Sequence, residues 1–263
     1  MRTPFWSRVA HRPRRTADGA STIGSVDDRL LAWYRLNKRD LPWRRTRDPY
    51  AILVSEVMLQ QTQAARVVPR FERWLERWPT VEALAAAPRA DVIREWQGMG
   101  YNRRAVSLHE AVQRIARDGW PADLTELPGV GAYTAAAVRN FAWNEPVLPL
   151  DTNVRRVQER TGHDFSPTCG QALMDFGARV CLARVPRCGE CPLAAECPSR
   201  GRRYAPLRRQ SRFEGSFRQR RAAALGLVAD QPRPLADLDA DVVESLARDG
   251  LVRLEGGLVS LPV

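Results

Sequence analysis

Four cysteines fall within one seventeen-residue stretch, "CLARVPRCGECPLAAEC", as Cys181, Cys188, Cys191 and Cys197 in the spacing C-x6-C-x2-C-x5-C. Thiolates are soft ligands, and four of them so close in sequence point to a metal site. Two disulfides are the alternative for an oxidising compartment, and zinc is the alternative metal. Zinc ribbons pair two C-x2-C knuckles across a longer spacer, whereas here one knuckle is flanked by two single cysteines; a [4Fe-4S] cluster fits that pattern better. Cys169 lies outside the frame and reads as a small buried hydrophobe. Arg184 and Arg187 lie inside the first cysteine loop, where a bound metal would hold them toward a phosphate backbone.

The stretch "LPGVGAYTAAAV" offers a second kind of chemistry. Gly129 and Gly131 flank Val130, so that backbone N–H groups can point outward from a turn opening an alanine-rich helix, a seat for a phosphate. Leu127 before the turn and Ala135, Ala136 and Val138 after it would pack one helix on another, making a helix-hairpin-helix. An ordinary turn between helices that needs a glycine is the alternative.

Helices dominate the elements that must position these groups. Apolar residues recur at helical spacing in Val26–Asn37, in "AILVSEVMLQQTQAARVV" up to Pro69 (expected to end or kink that helix), in "RFERWLERW" and in "NRRAVSLHEAVQRIARDG". No alternating strand pattern appears before residue 200. Beyond it, 201–220 reads as a basic linker, and 221–263 as two helices with a hairpin, "LVRLEGGLVSLP", in a small winged-helix-like module. A net charge of +11 and a pI of 10.4 favour a polyanionic partner, nucleic acid most simply, although anionic lipid attracts the same surface. The chain carries no apolar run of the roughly 20 residues that a membrane span needs, and residues 1–24 lack the apolar centre of a secretory signal. A cytoplasmic protein is expected, with 1–24 as a disordered basic arm, although such an arm can also mimic a transit peptide.

The helix-hairpin-helix, followed by "LPLDTNVRRV" and by this cysteine spacing, resembles the endonuclease III superfamily. "LPWRRTRDPYAILVSEVMLQQTQ" together with "GMGY" resembles its MutY-type adenine DNA glycosylase branch. The resemblance covers about residues 25–200 and implies an all-α, two-lobed helix-hairpin-helix DNA glycosylase fold with a [4Fe-4S] cluster loop, extended by the small C-terminal winged-helix-like α/β module. A six-helix lobe at about 45–142 would hold the hairpin at 123–142, and 25–44 with 143–200 would form the iron–sulfur lobe.

Base excision requires protonating a poor leaving group and stabilising an oxocarbenium-like sugar, work suited to two carboxylates in different environments. Glu56 is embedded in "VSEVML", where desolvation should raise its pKa and keep it protonated. The resemblance makes it the acid that protonates adenine N7 and later handles the water. Asp151 opens "DTNVRRV" as a helix N-cap and, by resemblance, stabilises or briefly bonds the sugar at C1′. Taken without the resemblance, the two read rather as a surface helix residue and a plain cap. By resemblance Asn153 orients the catalytic groups, and Gln61 and Tyr101 wedge into the duplex where adenine is flipped out. Trp43 and Arg44 resemble residues that line the adenine pocket, Gln171 resembles one that offers an amide to the adenine edge, and Gly129, Val130 and Gly131 would seat a phosphate. A core role for Tyr101 is the alternative.

Bifunctional members carry a lysine in a pattern like "LPGVGRKTA", whereas this chain has Ala132 and Tyr133, which implies a monofunctional enzyme with Tyr133 near the departing sugar. Tyrosine there also occurs in thymine and uracil mismatch glycosylases, which lack the glutamate of "SEVMLQQT". The implied partner is double-stranded DNA containing adenine opposite 8-oxoguanine or guanine, bound by a monomer without a membrane. A catalytically idle DNA-binding module is the other reading. About sixty residues follow the cysteines, too few for the nucleotide-hydrolase-like domain that relatives use to recognise 8-oxoguanine. Discrimination is therefore expected to be weaker or to fall to the C-terminal module.

Overall fold

A computed structural model describes residues 24–203 and 212–263. The expected N-terminal arm, apart from Gly24, and residues 204–211 of the expected linker lie outside the described residues. The first helix, α1 (Val26–Asn37), begins at a capping box in which the Ser25 hydroxyl accepts from the Asp28 N–H and the Asp28 carboxylate accepts from the Ser25 N–H. Next, α2 (Pro49–Leu59) is started by the Asp48 side chain, which accepts from the N–H groups of Tyr50 and Ala51, and by proline in its first turn. Every residue from Tyr50 to Met58 is buried, as an apolar helix without a polar face demands.

Contrary to the expected continuous helix through "LQQTQAA", the chain breaks after Leu59, and α3 (Ala64–Arg77) then runs through Pro69. The break has a tertiary cause. The Arg104 guanidinium donates to the carbonyls of Val57 at 2.8 Å, Met58 at 3.0 Å and Gln60 at 2.6 Å, the groups that a helix end leaves unpaired. Gln61 then takes φ = 56°, which no α-helix can continue.

Two short helices that the sequence reading had not singled out, α4 (Val81–Ala85) and α5 (Arg89–Trp96), precede α6 (Arg103–Asp118), which ends at Gly119. The hairpin at Leu127–Gly131 leads into α7 (Ala132–Trp143). Helices α2 to α7 enclose one core containing Trp43, Phe71, Trp74, Trp96 and Val138, so Leu41 and Trp43 pack with this lobe rather than with the cysteine-bearing one expected for 25–44. A second core joins α1 to α8 (Thr152–Thr161) and α9 (Gly170–Arg179) through Leu30, Val154, Val157, Leu173 and Phe176.

The C-terminal part starts earlier than expected, because α10 (Phe217–Asp230) takes in residues assigned to the linker, with Ser216 as its N-cap. Strand β1 (Arg233–Pro234), α11 (Ala240–Arg248), β2 (Arg253–Glu255) and β3 (Leu258–Ser260) complete it. The sheet is antiparallel with order β1-β3-β2, as in a winged helix, and Gly256 and Gly257 form the expected hairpin turn at positive φ. Its core of Leu225, Val228, Val242, Leu246 and Val259 also takes in Ile93 from α5 and Val106 from α6. The module is thereby fixed to the first lobe, with Arg94 donating to the Ala229 carbonyl at 3.1 Å and Arg103 paired with Asp249 at 3.0 Å.

Burial pulls the Arg104 pKa down to about 10, and the ring of carbonyl acceptors is what holds the guanidinium in place. Replacement of Arg104 by Met should orphan those carbonyls and cost on the order of 3 kcal/mol, read as a lowered urea midpoint with an unchanged m-value.

Candidate active site

A cavity of about 410 Å³ opens between the two helical lobes, lined among others by Glu56 from α2, Tyr133 from α7 and Asp151 with Asn153 at the start of α8. Glu56 is 5% exposed. Burial is the main influence raising its pKa to about 7; the Tyr133 hydrogen bond opposes the rise, the Asp151 charge adds to it, and the Arg44 charge opposes it. Tyr133 is itself pushed far above the usual phenol range, first by burial and then by the charges of Glu56 and Asp151. The phenol therefore stays protonated.

Asp151 is fixed by the helix it caps. One carboxylate oxygen accepts from the Val154 N–H at 2.6 Å and the other from the Asn153 amide at 3.1 Å. Asn153 is fixed in turn, because its carbonyl oxygen accepts from Arg156 at 2.7 Å, and Arg156 donates onward to the backbone carbonyls of Gly177 at 2.8 Å and Cys181 at 2.9 Å. Gly177 is required at this crossing, since a Cβ there would lie 2.7 Å from the Asn153 Cβ.

The expected adenine-pocket residues reach the same cavity but are not alike. Trp43 is 7% exposed and meets Phe71 edge-on, so it is as much core as wall. The Arg44 guanidinium is held by both oxygens of Asp175, at 2.5 and 2.8 Å, and Asp175 also accepts from Arg39 at 2.6 Å. Asp175 is fully buried and, despite that burial, is held below the usual carboxylate range by Arg44 and Arg39. Sequence reasoning missed it, although an acid on the buried stripe of α9 with Ala172 and Phe176 was a readable signal. The Gln171 carbonyl accepts from the Tyr34 hydroxyl at 3.0 Å, which orients the amide and directs its NH₂ away from that tyrosine.

Gln61 borders this cavity and a second, larger one, whereas Tyr101 and Gly129 border only the second. Among the described residues, three non-glycine positions take positive φ, and two of them are Gln61 at 56° and Tyr101 at 47°. Strain of that kind costs about 1–3 kcal/mol per residue and concentrates at functional sites. Arg104 joins the two segments, donating to the Gln60 carbonyl at 2.6 Å and the Gly100 carbonyl at 2.9 Å. In the hairpin Val130 is buried as an anchor, and Gly129 has φ = 75°, where a Cβ would strike the Ser107 Cβ at 2.7 Å. Gly131 caps α7 with no side-chain partner for the first N–H groups, which leaves the helix end suited to an anion.

Cys181, Cys188, Cys191 and Cys197 line one small cavity beside Arg160. Arg160 is buried and donates to the Cys181 sulfur at 3.3 Å and to the carbonyls of Leu182, Ala183 and Arg202. The Gly201 N–H points at the Cys188 sulfur at 3.3 Å. Burial, foremost, and the three neighbouring sulfurs push the Cys191 thiol up to about 11. Arg184 and Arg187 are exposed on the first loop.

The helical lobes and the hairpin between them define a helix-hairpin-helix repair protein, and residues 54–166 match the family described as "HhH-GPD superfamily base excision DNA repair protein". A thermostable thymine-DNA glycosylase is similar in structure, with a TM-score of 0.59 and 28% identity over 65% of this chain and 93% of that one. A trapped endonuclease III–DNA covalent intermediate shares the fold, with a TM-score of 0.56 and 24% identity over 65% of this chain and 92% of that one. The adenine DNA glycosylase of Mycobacterium tuberculosis is 42% identical over 90% of this chain and 93% of its own length. The human adenine DNA glycosylase is 37% identical over 66% of this chain but only 39% of its own length. This chain belongs to the adenine DNA glycosylase family of helix-hairpin-helix proteins.

Glu56 makes the fold pH-sensitive. Because its folded pKa of about 7 lies above its ordinary 4.5, the native state binds the proton more tightly; the associated stability is full below about pH 4.5 and is lost as pH rises through 7. The difference corresponds to about 3 kcal/mol. Glu56→Gln should therefore be more stable than the parent at pH 8.5 by up to that amount, with the advantage vanishing toward pH 4.5, as measured by urea melts at both pH values.

Proposed function

We propose that the protein removes adenine from double-stranded DNA in which it stands opposite 8-oxoguanine or guanine, by hydrolysis of the N-glycosidic bond and without cutting the backbone. The observation that carries this reading is a carboxyl with a pKa of about 7, Glu56, sharing a cavity of about 410 Å³ with a second carboxylate anchored on a helix N-terminus, Asp151. A group with that pKa holds its proton at neutral pH and can give it up in a transition state. Glu56 protonates N7 of the flipped adenine, the bond between N9 and C1′ breaks with its electron pair moving to the base, and positive charge develops on the sugar. Asp151, held by the Val154 N–H and the Asn153 amide, stabilises that charge until water adds at C1′ and its proton passes to Glu56. Tyr133 contributes a neutral hydroxyl beside the sugar, and Gln171 an amide toward the base edge.

The lack of a lyase step has support beyond the hairpin. The chain contains a single lysine, Lys38, which is exposed and does not line the cavity. The cavity's cations are Arg39 and Arg44, and guanidinium groups do not form Schiff bases. Gly129, Val130 and Gly131 seat a backbone phosphate at the start of α7, and Gln61 and Tyr101 fill the gap in the duplex.

The cysteine loop suits a [4Fe-4S] cluster. The four thiols surround a common cavity, with N–H groups aimed at two of the sulfurs. When bound, the cluster would compensate four thiolates and lock the loop that carries Arg184 and Arg187. A monomer working on intracellular DNA is the corresponding setting; no helix among the described residues is long and apolar enough to cross a membrane.

A duplex labelled on the adenine strand should be cut only after hot alkali. Glu56→Gln and Asp151→Asn should each lower excision by at least a thousandfold while retaining duplex binding. Cleavage without alkali, or release of thymine or uracil in place of adenine, would replace this reading. Protein purified without air should absorb in the visible and lose that absorption with its iron; a colourless protein with stoichiometric zinc would exclude the cluster.

A further inference from the structure

Tyr34 lies on α1 and does not line the cavity of Glu56 and Asp151, yet it touches two residues that do. Its hydroxyl donates to the Gln171 carbonyl at 3.0 Å, the one hydrogen bond that the Gln171 side chain makes among the described residues. The Arg44 guanidinium lies over its ring with Cζ 5.8 Å from the centroid, within reach of a cation–π attraction. Arg44 is pinned in turn by both oxygens of the buried Asp175, which stands one turn after Gln171 on α9. The four side chains thus close a loop: Gln171 to Tyr34, Tyr34 to Arg44, Arg44 to Asp175, and Asp175 back to Gln171 along the helix.

Such a loop settles how the amide meets a base. A glutamine side chain has several free torsions, and an unheld one must be ordered by the incoming base at the expense of binding. Here folding does the ordering, because Tyr34 cannot swing: Arg44 covers its ring, which packs on the core of Leu30 and Phe176 joining α1 to α9. Burial, first, lifts the Tyr34 phenol above its ordinary range against the opposing charge of Arg44, so the hydroxyl keeps the proton that it donates. A carbonyl oxygen has two lone pairs; with one taken by Tyr34, the other and the NH₂ group remain for the base. An acceptor beside a donor matches the amino group and neighbouring ring nitrogen of adenine, the two-point contact by which glutamine reads this base in duplex DNA.

We propose that Tyr34 is a positioning residue for base recognition: its hydroxyl holds the Gln171 amide in the orientation that reads the amino edge of adenine, without itself meeting the base. This rests on the adenine-excision reading above and on the place of Gln171 in the wall of the cavity that would receive the base. Purine, which carries hydrogen in place of the 6-amino group, offers the amide carbonyl no donor. The contact that Tyr34 prepares therefore favours adenine over purine, by about tenfold for one hydrogen bond to a held partner. Tyr34→Phe keeps the ring beneath Arg44 and removes only the link to Gln171, so its effect should pass through Gln171 alone.

The test is single-turnover excision of adenine and of purine, each opposite 8-oxoguanine, by the full chain and by Tyr34→Phe, Gln171→Ala and the double variant. The quantity read is the ratio of the adenine rate to the purine rate, which a partly unfolded preparation does not alter because it lowers both rates alike. Gln171→Ala should lower the ratio about tenfold, Tyr34→Phe about three- to tenfold, and the double variant no further than Gln171→Ala. A ratio unchanged by Tyr34→Phe would overturn the inference. So would a double variant in which the two losses multiply, since Tyr34 would then act independently of Gln171. A ratio unchanged by Gln171→Ala would overturn it as well, and excision of adenine by the parent would still leave the proposed function standing. A parent that excises adenine opposite neither 8-oxoguanine nor guanine would overturn both.

Discussion

Glu56 lies on a helix without a wet face, and much of the site follows from that constraint. From Tyr50 to Met58 every side chain of α2 is buried, so the carboxyl can satisfy itself only with groups brought from elsewhere in the fold. An ionised carboxylate in such a place is costly unless a cation compensates it. The nearby cation, Arg44, is already taken by Asp175, which is fully buried and bound through both oxygens. Asp175 thus helps to keep Glu56 neutral: were Arg44 released, its charge would draw Glu56 toward the carboxylate and remove the proton that an acid catalyst must hold. The Arg44–Asp175 pair on the cavity wall thus adds to the effect of burial, which is the main influence on the protonation state of Glu56.

The second carboxylate depends on α8. At its N-terminus Asp151 caps the helix, one turn later Arg156 ties Asn153 to the Cys181 carbonyl, and near its C-terminus Arg160 enters the cysteine loop. Ten residues of helix span about 15 Å, so a rigid strut joins the cysteine loop to the cavity. The close crossing at Gly177 prevents the strut from sliding past α9. The cysteine loop thereby bears on the position of Asp151 through covalent and hydrogen-bonded connections, with no need for chemistry at the sulfurs.

What could be read in the sequence was local. Helix α1 falls on Val26–Asn37 because its cap and its apolar spacing lie within its own residues, and the hairpin before α7 was visible in two glycines. The burial of Glu56 was legible from its apolar neighbours. The break after Leu59 was not, since "LQQTQAA" carries no glycine or proline and the agent that ends α2 is an arginine more than forty residues further on. Pro69 does not end its helix for the complementary reason: tertiary packing of Val67, Phe71 and Trp74 carries α3 across a residue that usually stops one. The Asp175 pairing, the two-residue strand β1 and the sharing of Ile93 and Val106 with the C-terminal core are likewise contacts between distant segments, which no local pattern encodes.

Arg104 makes the strained segments intelligible. Gln61 and Tyr101 hold backbone conformations that would relax in a free loop, yet one buried guanidinium grips the chain before each of them, at Gln60 and at Gly100. A wedge must enter a stacked duplex without first losing conformational freedom, because ordering it on binding would reduce affinity. Here the ordering is supplied by folding, and the strain is offset by hydrogen bonds to carbonyls that a helix end exposes in any case. The same arginine thus ends α2 just after Glu56 and sets the two residues proposed to hold the duplex open, so the proposed acid and the proposed wedge are placed by a single contact.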